Sequence, residues 1–209
     1  NNQQPNCPCV TFDNQKNILV NGQKYFPIGF WAFWNGLNPA DWIPYVSNFN
    51  TIENGLYPAF PQQTLQTFNQ KMIAELVGDP NYVPQYLPNS NIMMWEANFE
   101  TPISSQNDIQ SLQNLVSSIK NLDVCKRPVL FTPGAIQVAD NQLENIQSII
   151  DAAIIQNGYY VPHFALRGAG EAMQQATQQM GNKTIISNLQ IEGYQPNRYR
   201  LKSREPTFD

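Results

Sequence analysis

Charge is scarce in this sequence. Only 13% of its 209 residues are Asp, Glu, Lys or Arg, about half the usual share. The formal net charge is −4, and basic residues cluster only in the tail Arg198-Tyr199-Arg200-Leu201-Lys202-Ser203-Arg204. Nucleic-acid binders ordinarily present a basic patch or stripe, so no nucleic-acid partner is expected. Histidine is rarer still, with His163 standing alone. Neither it nor Cys7, Cys9 and Cys125 follows zinc-ligand spacing, so no metal site is expected. No apolar run reaches the roughly 20 residues that a membrane-spanning helix needs. No repeat is visible at the roughly 20–50-residue periods of solenoids and propellers.

Amides fill the place of the missing charges. Roughly a fifth of the chain is Asn or Gln, well above ordinary usage. An amide-rich surface hydrogen-bonds without net repulsion, so packing against copies of the same chain is one reading of this bias. Hydrophobic residues make up 42% and aromatics 11%, which suits a folded core. The length suits one domain, taken as residues 1–209. The chain opens on Asn1 rather than Met, as a processed mature terminus or an excised segment would.

Short apolar runs alternate with longer amphipathic ones, the pattern of a parallel α/β chain. Val10–Phe12 and Ile18–Val20 read as short strands, and Asn21-Gly22 is a strong type I′ turn signal. Residues 1–24 thus form a hairpin cap that leads into a first barrel strand ending near Trp31. Further strands are predicted over Asn50–Glu53, Lys71–Val77, Asn91–Trp95, Arg127–Thr132, Gly158–Leu166 and Thr184–Ile191. For Lys71–Val77, helix is the competing reading. Helices are predicted from Asn38 to Phe49, over Pro61–Gln70, Asn107–Leu122, Asn141–Gln156 and Gly168–Met180, with only a stunted one between Asp79 and Pro88. Ile109, Leu112, Leu115, Val116 and Ile119 share one helical face. Leu143, Ile146, Ile149, Ile150 and Ala153 do the same. Gly181 suits a helix C-cap. Seven β/α steps are visible, and too little chain follows Ile191 for an eighth. The expected fold is an α/β, (β/α)8-type barrel, apparently incomplete at about seven units. Another segment, or a second copy in a homo-oligomer, would supply the last stave.

In such barrels the chemistry lies at the C-terminal ends of the strands. Those ends carry Trp31, Trp34 and Asn35, then Glu53, Glu75, Glu96, Asn98 and Glu100, and finally His163, Gln190 and Glu192. Carboxyls can protonate a glycosidic oxygen and attack an anomeric carbon, and indoles stack on sugar faces. Glycoside hydrolysis needs two carboxyls, about 5–5.5 Å apart for retention and about 6.5–9.5 Å for inversion. One of them must enter the reaction protonated. Strands four and seven face each other across an eight-stranded barrel, which makes Glu100 and Glu192 the candidate pair. Trp95 and Glu96 alternate along their strand, so one of the two faces the helices.

Several segments resemble the barrel glycoside hydrolases of the clan that carries catalytic glutamates on strands four and seven. Val20-Asn21-Gly22-Gln23-Lys24-Tyr25-Phe26-Pro27-Ile28-Gly29-Phe30 is similar to the run leading into their first strand. Asn91-Ile92-Met93-Met94-Trp95-Glu96-Ala97-Asn98-Phe99-Glu100-Thr101-Pro102 resembles their strand four. Lys126-Arg127-Pro128-Val129 resembles the start of strand five. Leu189-Gln190 resembles strand seven, and Arg204-Glu205-Pro206-Thr207 resembles a later stretch before the next helix. The resemblance runs in order along nearly the whole chain. It implies a hydrolase with Glu100 as acid/base and Glu192 as nucleophile, without a cofactor. Trp31, Trp34, Asn98, His163 and Gln190 would contact a carbohydrate. The chain departs from that pattern where Phe99 separates Asn98 from Glu100. A degenerate hydrolase serving as an assembling or matrix subunit, and a carbohydrate-binding module without turnover, are the rival readings.

A bridge from Cys7 or Cys9 to Cys125 would staple the N-terminal cap to the barrel floor, and implies an oxidising, extracellular setting. Asn182-Lys183-Thr184 is an N-glycosylation sequon for a chain exported through a eukaryotic pathway.

Overall fold

The computed structural model describes residues 7–32, 48–55, 70–99, 101–157 and 166–189. Strands β1 (Val10–Phe12), β2 (Ile18–Val20) and β3 (Gln23–Tyr25) form an antiparallel meander. Asn21 and Gly22 both have positive φ, 52° and 78°, as the type I′ turn between β2 and β3 requires.

Seven strands follow in one sheet: β4 (Gly29–Ala32), β5 (Thr51–Gly55), β6 (Lys71–Glu75), β7 (Ile92–Phe99), β8 (Val129–Thr132), β9 (Ala152–Asn157) and β10 (Thr184–Leu189). They lie side by side in chain order and every neighbouring pair is parallel. The sheet curls into a partial barrel. Among the described residues no pairing joins β10 to β4. The described helices are α1 (Tyr82–Tyr86), α2 (Gln106–Leu122), α3 (Ala135–Ala139), a 3-10 turn at Gln142–Asn145, and α4 (Leu166–Met180). The helices predicted from Asn38 to Phe49 and over Pro61–Gln70 fall largely outside the described residues.

Two apolar layers sort the side chains by strand alternation. Outside the sheet, Ile52, Met72, Ala74, Trp95, Ala97, Val129, Phe131, Ala153 and Ile155 pack under α2 and α4 through Leu112, Val116, Ile119, Ala176 and Met180. Inside, Ile73, Met93, Met94, Leu130, Ala152 and Ile154 pack against Val10, Ile18 and Val20 of the hairpin. The meander therefore plugs the barrel floor. Polar contacts fix it there: Tyr25 Oη lies 2.7 Å from the Asn50 carbonyl and 2.8 Å from Thr51 Oγ1. A disulfide from Cys7 to Cys125 closes the staple, and Cys9 is the exposed free thiol. Gly29 is needed where β4 meets β5, because a Cβ there would collide with the Thr51 carbonyl.

Helix α2 starts where its capping box dictates. Ser105 accepts from the Asp108 amide at 3.2 Å, and the Asp108 carboxylate accepts from the Ser105 amide at 3.0 Å. Beneath its far end, Trp95 Nε1 donates to Asp123 Oδ2 at 2.8 Å. The Arg127 guanidinium lies 5.3 Å from the Trp95 ring centroid and donates to the Leu87 and Asn89 carbonyls at 3.2 Å. Of the Trp95–Glu96 pair, then, Trp95 faces the helices.

One segment departs from expectation. The predicted helix Asn141–Gln156 is instead the 3-10 turn followed by β9, so the sixth strand precedes the predicted Gly158–Leu166. Leu143, Ile146, Ile150 and Ala153 are all buried, but they serve two elements. A strand buried on both faces has no two-residue alternation, and a short apolar run then mimics a helical stripe.

Candidate active site

At the C-terminal halves of β5, β6 and β7 one inward side chain follows the apolar layer. On β5, β6 and β7 that residue is a glutamate. Glu53 follows the outward Ile52, Glu75 follows Ala74, and Glu96 follows Trp95, so all three project to the plug's side of the sheet. Glu75 and Glu96 are direct register partners, while Glu53 pairs with Ile73 on β6 and with Trp31 on β4. All three are buried, Glu96 completely. Thr132 at the end of β8 is equally buried beside Glu96.

Burial of this kind opposes ionisation. Burial first, and then the charge of Glu75, push the Glu53 carboxyl up to about 8, against a modest lowering by its contact with Glu96. Burial also raises Glu75. Glu96 is raised well above the ordinary carboxyl range by burial, and further by the charges of Glu53 and Glu75. Both Glu53 and Glu96 are thus held above the ordinary carboxyl range, chiefly by burial. Neither Glu96 oxygen, nor Thr132 Oγ1, completes a hydrogen bond of good geometry. The result is a layer of buried carboxyls at the strand ends whose ionisation burial opposes. Such groups can donate a proton near neutral pH. Among the described residues no group of His, Cys, Asp and Glu is arranged to hold a metal ion.

Strand β7 is irregular on both sides. Met72 pairs with Ile92 but Ile73 with Met94, and Glu96 pairs with Leu130 but Phe99 with Thr132. The second irregularity falls just where Phe99 interrupts the resembled motif. Asn98 is half-buried, accepts from the Phe99 amide at 2.9 Å and abuts Gly78 in the loop after β6. Gly78 has φ +76°, and a Cβ there would come within 3.3 Å of Asn98 Nδ2.

The parallel partial barrel has counterparts among solved structures. A β-glucuronidase from Ruminococcus gnavus, in complex with an N1-substituted uronic isofagomine, is similar to this chain with a TM-score of 0.63. The two are 14% identical over 87% of this chain and 37% of that one. The β-D-glucuronidase from Dictyoglomus thermophilum gives a TM-score of 0.66 at 11% identity, over 86% of this chain and 38% of that one. The fold is glycoside-hydrolase-like. At such identity the likeness is one of fold alone, and the chain spans under two fifths of the length of these neighbours. No family model matches the sequence, and none of the curated proteins matches it.

Within this glycoside-hydrolase-like fold, the residues named from sequence divide into two groups. Asn98 is placed as described, and Trp31 belongs to β4 as the register partner of Glu53. Trp34, Glu100, His163, Gln190 and Glu192 lie outside the described residues. Glu53, Glu75 and Glu96 come together as a layer. Sequence alone placed each at a strand end but gave no sign that they would touch. Thr132 was not singled out at all. Its one signal is position: it ends the buried run Val129–Thr132, two residues beyond the inward Leu130.

Proposed function

We propose that this protein is a glycoside hydrolase, cleaving glycosidic bonds in a polysaccharide or glycan by a two-carboxylate retaining mechanism. The observation that carries the reading is the Glu53–Glu75–Glu96 layer at the strand ends of a glycoside-hydrolase-like fold. In this reading Glu100 is the acid/base and Glu192 the nucleophile. Trp31, Trp34, Asn98, His163 and Gln190 contact the sugar. The buried carboxyl layer at the strand ends serves in this reading as a proton-holding group. Burial and like charge oppose ionisation of these carboxyls, which supports a protonated group at the pH of reaction, as a general acid requires. Retention needs a covalent glycosyl-enzyme on one carboxylate, then attack by water deprotonated by the other. No cofactor takes part. The disulfide supports an extracellular setting, and among the described residues no helix is long and apolar enough to cross a membrane.

The test is hydrolysis of a panel of aryl glycosides and β-linked polysaccharides by the wild type, Glu100→Gln and Glu192→Gln. Turnover with a retained anomer, lost in both variants, is the expected result. Equal rates in all three proteins would remove the assignment. A second reading, carbohydrate binding without turnover, is favoured by one observation: Phe99 takes the register position beside Thr132, within the strand-four motif. It predicts calorimetric glycan binding with no product.

A further inference from the structure

The floor of the barrel carries a feature that hydrolysis does not use. Asn182 is exposed in the turn between α4 and β10, just after Gly181 with its φ of +57°. Its side chain makes no hydrogen bond among the described residues. Two positions on, Thr184 is almost fully buried, and its Oγ1 donates to the Lys16 carbonyl at 3.0 Å. Lys16 Nζ in turn donates to the Gly181 carbonyl at 2.6 Å. The sequon therefore sits where the hairpin turn docks on β10, at the opposite end of the strands from the carboxyl layer. The Cys7–Cys125 bridge is a separate sign of passage through an oxidising compartment. In eukaryotic cells that compartment is also where asparagine-linked sugars are attached.

We propose that Asn182 is an acceptor for an N-linked oligosaccharide, and that the sugar is added before the N-terminal hairpin docks. The reaction forms a bond from Asn182 Nδ2 to the anomeric carbon of an oligosaccharide carried on a lipid diphosphate. The bond from that carbon to the diphosphate oxygen breaks, and the lipid diphosphate leaves with the electron pair. The displaced amide proton passes to the transferase's base and then to solvent. Acceptor recognition needs the Thr184 hydroxyl, and folding commits that hydroxyl to Lys16. Sugar transfer and hairpin docking thus compete for one side chain. Once attached, the glycan projects from the exposed turn, away from the barrel mouth. The proposal stands whether or not the protein hydrolyses glycosides.

The experiment is translation of the full chain, behind a cleavable secretion signal, in the presence of eukaryotic microsomes. The wild type is expected to give a slower band that peptide-N-glycosidase collapses, with Asn182 converted to Asp in the released peptide. Asn182→Gln and Thr184→Ala are expected to give no slower band, and Thr184→Ser to keep it. Because transfer precedes folding, these outcomes do not depend on whether a variant folds. Added reductant, which delays the staple, is expected to raise occupancy in the wild type. A wild-type chain left unmodified with and without reductant, beside a modified control protein, overturns the proposal. So does a slower band that persists in Asn182→Gln.

Discussion

Replacing Glu53 by Gln tests the carboxyl layer most directly. A glutamate in the unfolded chain titrates near 4.5, whereas burial and the charge of Glu75 push Glu53 up to about 8 in the fold. Between those values the folded protein keeps a proton that the unfolded chain has released. Folding then takes up a proton, so stability falls as the pH rises. The contribution is intact below about pH 4.5 and is lost progressively as the pH climbs toward 8. Each unit is worth about 1.4 kcal/mol. From pH 5 to pH 8 the wild type should therefore lose on the order of 3 kcal/mol relative to Glu53→Gln. Gln has the shape of a protonated carboxyl and cannot ionise, so it removes this slope while filling the same space. Glu75 and Glu96 are shifted in the same direction and leave a residual slope in both proteins. Urea unfolding of both proteins at pH 5, 6, 7 and 8, followed by tryptophan fluorescence, gives the difference directly. A stability gap that stays flat across the series, or moves against the wild type at low pH, would falsify the buried layer.

Cys125→Ser should destabilise by about 5 kcal/mol in the chain-entropy account of so long a loop; its thermal midpoint should match that of the reduced wild type, and an unchanged midpoint rules out a stabilising staple. Trp95→Phe strips the indole donor from Asp123 and leaves that buried carboxylate short of a partner. The expected cost is about 1–3 kcal/mol by urea titration, and a neutral result would mean that Arg127 and the Cys125 amide satisfy Asp123 without the indole. Gly29→Ala brings a methyl group against the Thr51 carbonyl, and to 2.9 Å from the Thr51 Cβ. Overpacking of this kind costs about 1–3 kcal/mol, and an alanine variant as stable as the parent would refute the close approach of β4 and β5.

Much of the architecture was legible because local signals agreed with one another. Asn21-Gly22 announced the hairpin turn, the clean apolar stripe from Ile109 to Ile119 gave α2, and Gly181 marked the end of α4. The Cys125 partner had to be Cys7 or Cys9, and the floor position of the hairpin allowed either. The fold selected Cys7. The sixth strand was illegible because Ala152-Ala153-Ile154-Ile155 is buried on both faces, which erases the alternation that identifies a strand. The site was legible only in part. Strand ends could be located, but the gathering of three glutamates from three strands into one layer is a long-range fact. It depends on the register of β5, β6 and β7 and on the extra residues accommodated in β7. A strict two-residue count along Ile92–Phe99 therefore misassigns faces.

The hairpin's two ties, to Cys125 and to the turn before β10, constrain the order of assembly. Lys16 meets residues 165 and 168 positions downstream. The hairpin must wait for nearly all the described strands before it finds its seat, and closing so large a span is slow. Until then Ile73, Met94, Leu130 and Ile154 have no lid. A nascent chain is thus an uncorked vessel, and its vulnerability to association ends only when the hairpin returns to seal it.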